Sequence, residues 1–319
     1  MPKPAEALVP RQPDAPGMHG VLIVAKPAGP TSHDVVALVR RLASTRRIGH
    51  GGTLDPFASG VLPLFLGGAT RLVEYHLADN KAYRATICFG ATSTTDDLDG
   101  ELTPVAAPAP TKEEALAGLA AFLGPQLQQP PTYSAVQVGG RRAYAMARAG
   151  ETVELPSRSV EIHTLDLLEW DGSEPDRPIA IVDVRCSAGT YIRAIARDLG
   201  ARLGCGAYLG ALVRTASGPF AIDAARSLDE IRDAAAATGP EGVRALLLPS
   251  DTGLDALTAV ALTDGEIADA LQGRFVRPAA GLRETPEDEP LRLTDAAGLI
   301  VGMGRRDGAR IAPTKMLPR

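Results

Sequence analysis

The sequence predicts an α+β fold: a mixed, largely antiparallel sheet with helices, followed by a small β unit at the C-terminus. Three observations carry that prediction. Strand-like runs with apolar alternation of period two are interleaved with segments of helical period. Gly-Gly and Asp/Gly turns join neighbouring strand-like runs, which suits hairpins better than a doubly wound parallel sheet. The chain has 319 residues, 45% of them apolar, which is more than one small core needs and fits a large domain plus a smaller one.

Taken in order, residues 1–18 are proline-rich, lack the apolar stretch of a signal peptide and read as a disordered tail. "GVLIVAK" is a short strand. After a Pro/Gly turn, Val35, Leu38, Val39 and Leu42 mark a helix with Ser32 as the expected N-cap. In "KAYRATICFG", Tyr83, Ala85, Ile87 and Phe89 alternate with Arg84, Thr86 and Cys88, giving a strand with one apolar face. The acidic "ATSTTDDLDGELTP" reads as a loop. "TKEEALAGLAAFLGP" reads as a helix that opens on a Thr111/Glu114 capping box and ends at Gly124-Pro125. "PTYSAVQVGGRRAYAMARAG" suggests a strand, a Gly-Gly turn and a basic helix. Strands are expected at 158–170 and 178–187, and a helix in "GTYIRAIARDLGARLG". A proline-bearing break near 250 precedes a terminal hairpin in "LRLTDAAGLIVGMGRRDG", with turns at 295–298 and 307–308.

Composition narrows the function. Cys88, Cys186 and Cys205 are too few and too far apart for a disulfide framework or a zinc ribbon, which fits a reducing cytoplasm. No apolar run reaches the roughly 18–20 residues that span a bilayer. The net charge of −5 argues against a nucleic-acid partner overall, yet the charge is segregated. Residues 21–50 hold Lys26, Arg40, Arg41, Arg46 and Arg47 against Asp34 alone, and this basic block runs straight into "GHGGTLDPFASGVLPL".

In that stretch Gly49, Gly51 and Gly52 permit positive φ and close approach of a ligand. Free amides in such a turn favour an anion, whereas Asp55 has the opposite electrostatic preference and is expected to address another part of a nucleotide. The pattern is not a phosphate-binding G-x-x-x-x-G-K-[ST] loop, and no second carboxylate adjoins Asp55 to signal a metal or glycosidase pair. Taken alone, "LDP" is a turn or N-cap aspartate ahead of a helix-starting proline.

The wider segment "GHGGTLDPFASGVLPLFLGGATR" resembles the catalytic motif of the TruB-type tRNA pseudouridine-55 synthases. Gly51 stands where that family usually has threonine. "KPAGPTS" at 26–32, "KAYR" at 81–84, "CSAGTYIRAIARDLG" at 186–200 and "GCGAYLGALVRTASGPF" at 204–220 resemble further family motifs in the same order. The resemblance implies a pseudouridine-synthase fold over residues 19–250 with a thumb-like insertion, and a small PUA-like RNA-binding domain over 251–319. It implies isomerisation of uridine to pseudouridine at position 55 in the TΨC loop of tRNA, with no metal or cofactor. A monomer acting on the TΨC arm without a membrane is expected.

By the same resemblance Asp55 is the essential catalytic group. Attack on C1′, attack on C6 and assistance to a glycal route all remain open for it, and each needs an ionised carboxylate. Arg193 is expected beside it, lowering its pKa; otherwise it is an exposed helix arginine. Tyr83 would stack on the extruded uracil, or simply pack in the core. Leu212 would wall the other side of the base, and Tyr191 would buttress the aspartate, with ordinary packing the alternative for both. His50 is either at the RNA surface or a hydrogen-bonded turn residue. Lys26 supports the active-site loop, touches RNA or is merely solvated. Arg40, Arg41, Arg46, Arg47, Arg141, Arg142 and Arg148 are candidate phosphate contacts. The rivals are a non-catalytic RNA-binding or tRNA-folding factor on this scaffold, a synthase acting on ribosomal RNA in a partner complex, and a hydrolase built on His50 and Asp55.

Overall fold

The apolar β-strands of the chain assemble into one large sheet. The computed structural model describes residues 17–134, 137–138, 141–142, 146, 155–278, 281–282, 287 and 289–318. The elements run β1 (Gly20–Lys26), α1 (Ser32–Leu42), β2 (Ile48–His50), β3 (Ser59–Leu66), a 3-10 helix (Gly67–His76), β4 (Lys81–Phe89), β5 (Ala91–Ser93), β6 (Leu102–Pro104), α2 (Lys112–Ala120), β7 (Gly124–Gln128), β8 (Gln137–Val138), β9 (Arg141–Arg142), β10 (Arg158–Asp171), β11 (Ile179–Cys186), α3 (Ile192–Leu203), β12 (Ala207–Ser217), β13 (Phe220–Ala221), β14 (Arg226–Ser227), α4 (Leu228–Thr238), α5 (Pro240–Arg244), β15 (Ala259–Ala261), α6 (Asp264–Leu271), β16 (Pro290–Thr294), β17 (Ile300–Asp307) and β18 (Arg310–Met316).

The large sheet follows the order β14-β1-β3-β12-β4-β11-β10-β7, with β2 on β3 and β13 on β12. The β1–β14 and β3–β12 pairs are parallel and the rest antiparallel, so the sheet is mixed and largely antiparallel, as predicted. In β1, Leu22 and Val24 enter the main core under α1, while Val21 and Ile23 enter a second core with Phe65 and Phe220. Burial on both faces explains why this strand reads as a continuous apolar run. A four-stranded sheet, β15-β16-β17-β18, forms the small C-terminal β unit around its own core of Leu262, Ile267, Leu291, Leu293 and Ile311.

Several local expectations change. Thr31, not Ser32, caps α1: its side chain accepts from Asp34 N, and Asp34 closes the capping box. Ser32 is buried and bonded elsewhere. The predicted loop at 91–104 contains the β5–β6 hairpin. Helix α2 opens on the Thr111/Glu114 box but stops at Ala120, and Gly124 begins the next strand. The short β8–β9 pair is present, with Gln137 opposite Arg142. The Gly-Gly turn between them, Arg148 within the expected basic helix, and residues 1–16 of the expected tail lie outside the described residues.

Candidate active site

Asp55 sits in the loop between β2 and β3, and three buried polar side chains grip that loop by its backbone. Arg214 on β12 donates from Nη2 to the Gly52 carbonyl at 3.1 Å, from Nη1 to Thr53 at 3.3 Å and from Nε to Val61 at 2.8 Å. Ser32 donates its hydroxyl to Leu54 O at 3.0 Å and accepts from Leu54 N at 2.9 Å. Lys26 donates to Pro27 O at 2.9 Å, Pro56 O at 3.2 Å and Ala58 O at 2.7 Å. Lys26 is therefore a buried loop anchor, not a solvated surface lysine. Burial lowers its pKa to about 8, against the pull of Asp55.

The glycine turn is also committed inside the protein. Gly51 N donates to Pro63 O, and Gly52 N donates to His50 Nδ1 at 3.3 Å, so the expected free-amide anion site does not form. His50 ends β2, its Nδ1 accepting from Gly52 N, with His33 edge-on at 6.3 Å, and burial lowers its pKa. A Cβ at Gly51 would stand 3.3 Å from the Phe65 ring, so a larger residue there requires Phe65 to shift.

Arg193 lies in the first turn of α3 and points into the Asp55 loop. Its Nε is 3.0 Å from Asp55 Oδ2, and its Nη1 is 3.1 Å from Asp97 Oδ2. Nη1 also donates to Thr95 O and Nη2 to Tyr133 O, both at 3.0 Å. The guanidinium is buried, while the Asp55 side chain is 36% exposed. Arg193 does favour the charged carboxylate, but burial outweighs it and Asp97 adds to the rise, so the Asp55 pKa is raised. The expectation that Arg193 leaves a lowered pKa is corrected: it limits the rise. Asp97 supplies the second carboxylate that no neighbouring residue of Asp55 signals in sequence.

Tyr191 is the N-cap residue of α3 and is clasped by Gln128, which accepts from Tyr191 N at 2.8 Å and donates to Tyr191 O at 3.0 Å. This clasp fixes the start of the helix that carries Arg193. One turn later, Arg197 Nη1 holds Asp96 at 2.9 Å, tying the β5–β6 turn to the same helix. On the sheet, Tyr83 pairs with Arg214 and Ala85 with Leu212, so all four side chains share one face. Burial pushes the Tyr83 phenol up, and the Arg214 guanidinium across the strand pair limits the rise. Leu212 belongs to the main core, with Tyr83 packed against its edge. A hollow of about 490 Å³ between β1, α1 and α4 includes none of the predicted site residues.

Comparison with known proteins bears on this arrangement. Residues 40–192 match the N-terminal domain of the TruB family pseudouridylate synthases, and residues 193–255 match the C-terminal domain of tRNA pseudouridylate synthase B. The chain belongs to the TruB family. The junction of the two matches falls inside α3, next to Arg193. Among its relatives, tRNA pseudouridine synthase B of Thermobifida fusca is 54% identical over 66% of this chain and 74% of that protein. The Bradyrhizobium diazoefficiens protein of the same name is 38% identical over 95% of this chain and 87% of its own. The fold matches that of an H/ACA RNP bound to a substrate RNA containing 2′-deoxyuridine, at TM-score 0.70, 23% identity and coverage of 94% and 86%. A Cbf5-Nop10-Gar1 complex matches at TM-score 0.69, 25% identity and coverage of 95% and 84%. Within this TruB chain the sequence missed Ser32 as a loop pin, Arg214, Asp97 and Gln128. Ser32 closes the KPAGPTS motif, and Arg214 stands in the 204–220 motif as an arginine in an otherwise apolar strand.

Proposed function

We propose that this chain isomerises uridine to pseudouridine at position 55 in the TΨC loop of tRNA. Substrate and product are isomers: the N1–C1′ bond breaks, a C5–C1′ bond forms, and a proton leaves C5 while N1 gains one. The reaction therefore needs no external oxidant, reductant or group donor, and no metal or cofactor is assigned. The observation that carries the reading is Asp55, partly open to solvent and 3.0 Å from a buried arginine, in the loop that bears the family motif.

In this reading an extruded uridine meets the Asp55 carboxylate, and Arg193 keeps enough of it ionised near neutrality. Tyr83 stacks on the base, Leu212 walls the other side and His50 faces the RNA. Tyr191 and Lys26 hold the helix and the loop. Extrusion costs a few kcal/mol of stacking, which contacts to the flipped base offset. The division into a tail at 1–18, a catalytic domain at 19–250 and a PUA-like RNA-binding domain at 251–319 is part of the proposal, as are a monomeric state and a cytoplasmic location. Among the described residues no helix is long and apolar enough to cross a membrane.

The test uses one unmodified tRNA transcript. The wild-type chain should convert the uridine at position 55 alone. Asp55→Asn should make no pseudouridine while binding the transcript within a few fold of wild type. Turnover by Asp55→Asn refutes the catalytic assignment. Binding without any wild-type product favours the tRNA-folding alternative.

A further inference from the structure

The pose of Arg193 is set less by Asp55 than by the chain around it. Nη1 donates to Thr95 O and Nη2 to Tyr133 O, both at 3.0 Å, and Nη1 also meets Asp97 Oδ2 at 3.1 Å. Nε is 3.0 Å from Asp55 Oδ2 but, among the described residues, has no acceptor aligned with its N–H. A guanidinium is a rigid plane, so one N–H cannot turn without the others. The segments that carry Thr95, Asp97 and Tyr133 therefore decide where Nε stands against Asp55.

Arg197, one turn along the same helix, grips the same two segments. Its Nη1 is 2.9 Å from Asp96 Oδ2, between Thr95 and Asp97, and its Nη2 donates to Gln129 O at 2.9 Å, shortly before Tyr133. Its Nε pairs with Asp198 on its own helix at 2.7 Å. The Gln129 amide in turn donates to Leu155 O at 2.6 Å and accepts from Ser157 Oγ at 3.0 Å, so that segment is anchored in both directions. Asp96 shows why a grip is needed. Its φ is +63, a left-handed conformation that a residue with a Cβ adopts at a cost. Its carbonyl accepts from Leu209 N on β12 at 3.0 Å. The bond to β12 and the ion pair to Arg197 hold this turn from two sides, and the turn delivers the buried Asp97 to Arg193. The Asp96 and Arg197 side chains are 14% and 28% exposed, so salt screens the pair less than one on the open surface.

We propose that Arg197 is a positioning residue for the reaction: it holds the turn at Asp96 and the chain at Gln129 against α3, so that Arg193, braced on both, keeps its Nε on the Asp55 carboxylate. Arg197 acts through Arg193. This deepens the proposed function and rests on Asp55 acting in that reaction.

The charged groups that bear on Asp55 are Arg193, Asp97 and Lys26. Arg193 and Lys26 favour its ionised form, while burial and Asp97 oppose it. Without Arg197, Arg193 follows its aligned partners as they relax. Arg193 outweighs Asp97 at Asp55, so withdrawal of both together still pushes the Asp55 pKa up. The acid limb of the rate profile, where Asp55 ionises, then moves to higher pH.

The experiment follows single-turnover pseudouridine formation at saturating enzyme across pH on one unmodified tRNA transcript, with filter binding and urea unfolding of the same proteins. Arg197→Met should lower the plateau rate about ten- to hundredfold, as a misplacement of about 1 Å does. It should bind tRNA within a few fold of wild type and shift the acid limb upward. Arg197→Lys, which keeps the charge but not the fork, should fall between the two. Adding Asp96→Gly to Arg197→Met should restore part of the rate, because glycine keeps a positive φ without a partner. A merely structural loss would lower the folded fraction and leave the acid limb in place. If Arg197→Met does not fold, Arg197→Lys and Asp96→Asn carry the same readings, with smaller losses in the same direction. A folded Arg197 variant at the wild-type rate, a rate loss with the acid limb unmoved or lowered, or no recovery with Asp96→Gly overturns the proposal. A wild type that leaves tRNA unmodified sinks the proposed function instead, whereas a modifying wild type with indifferent Arg197 variants sinks this proposal alone.

Discussion

Asp55 is held where its charge is disfavoured. Its folded pKa lies above the ordinary value near 3.8, with burial the largest cause. A raised carboxylate pKa contributes stability at low pH that is lost as pH rises through the folded value. At neutral pH the ionised Asp55 is therefore a net cost to the fold, and Asp97 remains to partner Arg193 if Asp55 is neutralised. Asp55→Asn should raise Tm at pH 7 by roughly 1–3 °C while abolishing turnover, as expected where activity and stability conflict. A lower Tm would mean that Arg193 depends on the Asp55 charge. Lys26 shows the opposite chemistry with the same physics. Its pKa falls from 10.5 to about 8, so the protonated form is the one the fold disfavours. Below pH 8 that cost is fully present. Between pH 8 and 10.5 the unfolded chain binds a proton that the folded chain lacks, so stability from this group rises with pH. Urea unfolding at pH 8 and pH 10 should show a smaller gain for Lys26→Met than for wild type.

At the scale of elements, the Asp55 loop and helix α3 are held at places that pattern reading cannot see. Thr31 and Ser32 are adjacent hydroxyls before the same helix. Thr31 caps it from the exposed side, whereas Ser32 points inward and closes two hydrogen bonds on Leu54. Thr31→Ala should cost about 1 kcal/mol of stability with little change in turnover. Ser32→Ala leaves a buried N–H and C=O of Leu54 unpaired and should cost about 2–4 kcal/mol and slow turnover as the loop loosens. Paired urea-unfolding and single-turnover measurements check both. Equal effects on turnover would remove Ser32 from the loop's support. The contrast also marks what was legible. The strands β1, β4, β10 and β11, the Thr111/Glu114 box and the terminal hairpin follow from local periodicity and spacing, and the motif around Asp55 from its resemblance to the family. Ser32, Asp97, Gln128 and Arg214 act across 22, 96, 63 and 162 positions on Leu54, Arg193, Tyr191 and Gly52, and nothing local distinguishes them from a cap, a loop acid, a strand glutamine or a strand arginine. The raised Asp55 pKa was illegible for the same reason, since burial and a second carboxylate are properties of the folded assembly.

Across the whole molecule the problem is how a chain of net charge −5 meets a polyanion. The segment from α1 to β2 presents Arg40, Arg41, Arg46 and Arg47 at the surface, immediately before the Asp55 loop, whereas residues 151–200 hold ten acids against five arginines. The C-terminal sheet is joined to the same body through Leu72, Leu254, Met303 and Leu317, with Lys315 3.6 Å from Glu74. RNA engaging both parts would meet local positive charge despite the overall sign. If the basic segment supplies phosphate contacts, each arginine removed takes away one released counterion, and the salt dependence must flatten as affinity falls. Replacing Arg40, Arg41 and Arg47 with alanine should reduce the slope of log K against log salt by about 2–3 for duplex contacts. The Asp55–Arg193 pair is untouched by these changes, so single-turnover rates at saturating enzyme should stay close to wild type. Filter binding of unmodified tRNA over a salt series reads the slope directly. An affinity loss with no change in slope would place the effect in folding or shape and not in phosphate contact, and would move the RNA path away from this face.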